Sequence, residues 1–105
     1  TENTYDPPLQ LFGVFPMDAT HLGLDFNEPP KQETIITSNF TITPAIVVSN
    51  AMIEPNGGGR FIKLTLASAQ TSDVDYALTV GSGVTDQGGN PIELADRTRH
   101  FMGFG

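Results

Sequence analysis

The chain contains no cysteine, which excludes disulfide bridges and thiolate zinc centres but leaves the compartment open, because cytosolic and exported proteins alike can lack it. Basic residues are scarce, with Lys and Arg numbering 5 against 12 Asp and Glu, for a formal net charge of −7. Nucleic-acid affinity rests on clustered cations that neutralise phosphates, so this shortage argues against a nucleic-acid partner. It argues equally against docking on an anionic membrane surface. No apolar run approaches the roughly 20 residues that cross a bilayer. The opening TENTYDPP has neither the basic nor the apolar region of a signal peptide. Direct membrane insertion is therefore not expected. Long helical periodicity is missing too. The chain starts at Thr1 rather than at a methionine, and reads as a piece of something longer.

What is present suits short strands. At 105 residues the length fits one domain able to bury a core without metal or disulfide staples. Apolar residues make up 38% and charged ones 16%, while 11 glycines and 8 prolines exceed ordinary usage, which favours tight turns over helices. Residues 1–8 are polar and end in Pro7-Pro8, a stiff extended linker, so the domain is expected over 9–105.

From Leu9 to Phe15 apolar residues run almost continuously, and Pro16 is expected to close that first strand. Leu22, Leu24 and Phe26 alternate with His21, Gly23 and Asp25 as a half-buried second strand that ends in Asn27-Glu28-Pro29-Pro30. Lys31 to Asn39 is polar, a loop or one short helical turn. Phe40 to Thr43 alternates and stops at Pro44, and Ala45 to Ile53 makes a fourth strand. Asn56-Gly57-Gly58-Gly59 then turns the chain into Arg60–Leu66. Ser68 to Asp75 crosses to a strand on which Tyr76, Leu78 and Val80 share one face, and Thr98 to Phe104 closes the chain.

Seven short strands with turn signals at this spacing predict an all-β fold: an Ig-like two-sheet antiparallel β-sandwich with Greek-key connections. The expected inward set is Val14, Leu22, Leu24, Phe26, Phe40, Ile42, Ile62, Leu64, Leu66, Tyr76, Leu78, Val80, Ile92 and Phe101.

Three stretches carry a family resemblance. VFPMDAT followed by LGLDFNEPP, then YALTV, then VTDQGGNPI resemble, in that order, the opening, the penultimate strand and the Asp-x-x-Gly-Asn-Pro loop of bacterial Ig-like domains of the SbsA-type or Big_5 family, modules of S-layer and other surface proteins. The chain departs from that pattern before Tyr76, where Ser72-Asp73-Val74-Asp75 stands in place of a glycine. The resemblance implies a non-catalytic structural module at the bacterial cell surface or outside the cell, joined to neighbouring domains of the same polypeptide, with no cofactor and no catalytic residues to carry over.

Each candidate site has a plainer structural reading. Asp86 and Asn90 could offer oxygens to calcium, but the loop lacks the dense alternating acids of a calcium motif, so Asp86, Gly89, Asn90 and Pro91 are expected to build an Asx-type turn. Asp73 and Asp75 read as a solvated turn. His21 and His100 lie on different strands without a ligand motif, and are expected on strand surfaces. Tyr76 could stack on a sugar, but its phase with Leu78 and Val80 places the ring in the core, with the hydroxyl on nearby backbone. Phe61, Phe12 and Phe104 are candidates for a contact surface, since phase turns Phe61 away from the core. The alternative to a spacer is an adhesin or a glycan- or protein-binding module using the end loops Asn56 to Arg60 and Val84 to Ile92. The sequon Asn39-Phe40-Thr41 reads as chance, because Phe40 is expected inward.

Overall fold

In the computed structural model, residues 9–54, 58–92 and 97–104 are described. The expected linker 1–8 and the tip residue Asn56 lie outside them. Seven strands form: β1 (Leu11–Asp18), β2 (His21–Phe26), β3 (Phe40–Thr43), β4 (Val48–Ile53), β5 (Phe61–Leu66), β6 (Asp75–Val80) and β7 (Thr98–Met102). They pair antiparallel into a four-stranded sheet, β1-β2-β5-β4, and a three-stranded sheet, β3-β6-β7. That order is the constant-type Ig arrangement, in which the chain changes sheet between β2 and β3, between β3 and β4, and between β5 and β6. The predicted all-β sandwich is what forms.

Alternation decides which face of each strand is covered. In β5 the residues Ile62, Leu64 and Leu66 are buried and Phe61, Lys63 and Thr65 only half-buried; β6 repeats the pattern with Tyr76, Leu78 and Val80. One face of each sheet thus meets the other, and the core also takes in Leu22, Leu24, Phe26, Phe40, Ile42, Ile92 and Phe101. Each large side chain so buried contributes about 1.5–3 kcal/mol. Leu9, Leu11, Ile35, Val48 and Val84 belong to the core as well, outside the expected inward set, while Val14 is only half-buried and packs on its border.

The first strand begins at Leu11 rather than Leu9 and the last ends at Met102 rather than Phe104, and two further boundaries differ by more. Pro16 does not end β1 but sits inside it, opposite Leu22. β1 is the outer strand of its sheet, and an outer strand has a side without ladder bonds, where the missing N–H of proline costs nothing. The fourth strand begins at Val48 rather than Ala45, because a turn follows the Thr43–Pro44 bond. Residues 31–39 hold two single-turn 3-10 helices, Gln32–Thr34 and Thr37–Asn39.

Strand directions follow from the pairing. β1, β3, β5 and β7 run one way and β2, β4 and β6 the other. The chain therefore enters at one end of the sandwich, the lower pole, with the 27–39 connection, the adjoining ends of β4 and β5, and residues 81–92. It leaves at the opposite, upper pole, with the β1–β2 turn, residues 44–47 and the 67–74 crossover. No helix among the described residues is long and apolar enough to cross a membrane.

Candidate functional site: the two poles

The lower pole is built around Asp86, which is fully buried. Its Oδ1 accepts the backbone N–H groups of Gly88 and Asn90, each at 2.9 Å, and its Oδ2 accepts Asn90 Nδ2 at 3.2 Å. Asp86 N–H in turn donates to Asn90 O at 3.0 Å, and Gly89 N–H to Asp86 O at 3.1 Å. Gly89 takes φ 88°, where a side chain would be strained. Burial by itself would raise the Asp86 pKa. The hydrogen bonds from Asn90, Gly88 and Gly89 outweigh it, and the carboxyl stays below its ordinary value. A cation approaching these oxygens would meet N–H hydrogens first. Among the described residues no group of three or more His, Asp or Glu is placed to hold a metal ion.

This loop is laced to the 27–39 segment. Lys31 N–H donates to Thr85 O at 2.8 Å, Gln87 Nε2 to Pro30 O at 2.9 Å, and Thr85 N–H to Thr34 Oγ1 at 3.3 Å. Pro91 forms a bridge with Thr85, and Val84 and Ile92 bury the two ends of the loop. Gly59, at φ 82°, passes close to Pro29, so the hairpin end of β5 rests on the same segment. Asn39, of the sequon, donates its Nδ2 to Thr34 O.

At the upper pole Tyr76 is 4% exposed, and its ring stacks on Phe101 with centroids 5.3 Å apart. Its hydroxyl accepts the N–H of Thr71 at 2.8 Å, five residues upstream, the geometry of a tyrosine corner. Gln70 is buried beside it and ties three segments together. Its Nε2 donates to Asp18 O at 2.9 Å, its Oε1 accepts Phe104 N–H at 3.0 Å, and its own N–H donates to Ala19 O at 2.9 Å. Gly103 donates to Val74 O and lies so close to Thr71 O that no side chain fits there. Nothing in the sequence around Gln70 signals this role, since its partners lie far along the chain or past the last strand.

The remaining candidates are scattered. Arg60 is exposed at the lower pole. Phe61 does face away from the core, but it is half-buried: its ring stacks on Phe15 at 5.7 Å over Gly23, where a Cβ would meet both rings. Phe12 and Phe104 are exposed. His21 Nδ1 lies 2.8 Å from an Asp18 oxygen and His100 Nδ1 3.2 Å from Asp75. The His21 contact, with the Thr20 N–H, lowers the Asp18 pKa. Asp73, exposed, takes φ 65° in the crossover. Two surface depressions, of about 430 and 400 Å³, have no titratable side chain in their lining among the described residues.

No protein-family model matches the chain, and no curated protein does. Solved structures do. The S-layer protein SbsC aligns with TM-score 0.80 at 22% identity, over 91% of this chain and 14% of that one. The N-terminal part of the bacterial S-layer protein SbsC aligns with TM-score 0.81 at 22% identity, over 91% of this chain and 23% of that one. A third structure, of SbsC domains 1-6, gives TM-score 0.80 at 21% identity. At this identity what the chains share is the fold. The chain spans less than a quarter of the length of each of these proteins.

Proposed function

We propose that the chain is a non-catalytic Ig-like spacer, one module of a bacterial cell-surface or secreted protein of the SbsA-type or Big_5 kind, joined through its poles to neighbouring domains of the same polypeptide. The observation that carries the reading is the path of the chain: it enters at one pole and leaves at the other, and the exit is pinned by Gln70, Tyr76 and Gly103. Ladder bonds run perpendicular to strands. A pull between the two ends therefore loads β1 against β2 and β7 against β6 along their length, with all bonds of a ladder strained together. The fold shared with domains of S-layer proteins supports the same role.

The Asp86 loop fits a spacer better than a receptor, because its polar groups are turned on each other and on the 27–39 segment. Single-molecule stretching from both termini tests the reading: a spacer gives one cooperative rupture well above the entropic stretching background. Rupture at background force, or binding of the isolated module to a glycan array that substitutions at Arg60 and Gln87 abolish, would remove it in favour of an adhesin.

A further inference from the structure

From Thr34 to Ile53 no side chain carries a formal charge, in a molecule of net charge −7. The fold gathers this stretch on one flank. β3 and β4 are the outer strands of the two sheets on the same side of the sandwich, joined by residues 44–47. The shallow depression between them is lined by Ser38, Thr41, Ile42, Ala45 and Val48 among others. Ile36 and Val47 are exposed beside it, Val47 at 69%.

The four sheet edges are unequally defended. An unpaired edge is a template for another strand, and proteins blunt it with proline, bulges and charges. β1 carries Pro16 and two register shifts. β7 carries Arg99 and His100 and lies against β1. β4 has one register shift, between Val48 and Asn50. β3, with the sequence FTIT, has no charge, no proline and an unbroken register with β6. Gly81 N–H donates to Asn39 O, whereas Val80 N–H turns away to Arg97 O. Bonds alternate along an antiparallel pair, so Phe40 and Ile42 present backbone polar groups to the open side. Thr37 O already takes the Phe40 N–H. That leaves the Phe40 C=O and both groups of Ile42.

We propose that this flank is a contact surface for a second copy of the chain, with β3 meeting β3 antiparallel across a twofold axis at Thr41. Ile42 N–H of each copy then donates to Phe40 C=O of the other, and two three-stranded sheets become one of six strands. Charge selects the occupant. Two copies at −7 repel wherever acidic surface faces acidic surface, and here they meet with no charge on either side. A basic partner has nothing to recognise on this flank. A strand paired with itself about a twofold is also self-complementary by construction. With only two ladder bonds and a small area the contact is weak, with Kd on the order of 0.1–1 mM for isolated chains. It stands whether or not the chain is a spacer.

The absence of cysteine makes the test clean. Thr41→Cys, held near the Kd under mild oxidant, forms a disulfide-linked dimer at least several-fold faster than Ser68→Cys, at a position that is likewise exposed but lies at the upper pole. Sedimentation equilibrium of the unmodified chain shows a concentration-dependent dimer that Thr41→Lys abolishes while circular dichroism and melting stay unchanged. Equal cross-linking rates at the two positions, a chain that stays monomeric to several times that concentration, or a dimer that survives Thr41→Lys would each overturn the proposal.

Discussion

Replacing Asp86 by Asn tests how the lower pole is held. The substitution is nearly isosteric and keeps one oxygen for the N–H groups of Gly88 and Asn90, but it removes the charge and sets an NH2 group against Asn90 Nδ2. Hydrogen bonds to a charged acceptor are worth about 1.5–3 kcal/mol against about 1 for neutral pairs. Asp86→Asn should therefore cost about 1.5–3 kcal/mol, a large share of the roughly 5–15 kcal/mol that holds such a domain. The pH dependence gives a second readout. In the folded chain the carboxyl titrates below its ordinary value of 3.8, so between the folded and unfolded pKa values the unfolded chain binds more protons and stability rises with pH. The Asp86 contribution is complete above the unfolded value and disappears as pH falls through the folded one. Other carboxylates, Asp18 among them, titrate in both proteins and cancel in the difference. Urea unfolding followed by circular dichroism from pH 7 to pH 2 should show a gap between the two proteins that is wide at neutrality and closes in acid. Stabilities within about 0.5 kcal/mol at pH 7, or a gap that stays constant down to pH 2, would refute the account of the loop.

At the upper pole, Gln70→Ala should destabilise by about 1–3 kcal/mol by stranding its backbone partners, and should speed hydrogen exchange at the Phe104 amide more than at Leu78. Tyr76→Phe keeps the stacked ring and loses only the Thr71 contact, for about 1 kcal/mol, whereas Tyr76→Ala should cost about 3–5 kcal/mol; equal losses from the two would place the value of Tyr76 in its hydroxyl. Gly23→Ala must push apart the Phe15 and Phe61 rings, which lie 2.6 and 2.7 Å from the added carbon, and should cost about 1–3 kcal/mol in chemical denaturation. Phe15→Ala in the same chain should relieve most of that strain, and the double-mutant cycle measures it.

Much of the fold is legible along the chain because its signals are local. The alternation of β2, β5 and β6 announces which side chains are covered, and glycine, asparagine and proline mark where the chain can turn. The Asp86 loop belongs to this class: a carboxylate reaching backbone N–H groups two and four residues ahead needs only its own neighbours. Pairing partners are a different matter. That Pro16 can sit inside β1 depends on β1 being an outer strand, a property of its neighbours and not of its sequence. Val84 and Leu9 enter the core from loops, where no periodicity points inward.

By itself, then, the sequence determined that strands form, which faces of β2, β3, β5 and β6 are covered, and the acidic character of the molecule, since each of these is written in residues that are close together. Only the tertiary structure decided that Gln70 joins the β1–β2 turn to the departing chain, that Phe15 and Phe61 close over Gly23, and that an uncharged stretch becomes a single bare flank. Those outcomes depend on hydrogen bonds and contacts between segments tens of residues apart, and such partners are chosen by how the two sheets pack, not by the order of residues within either one.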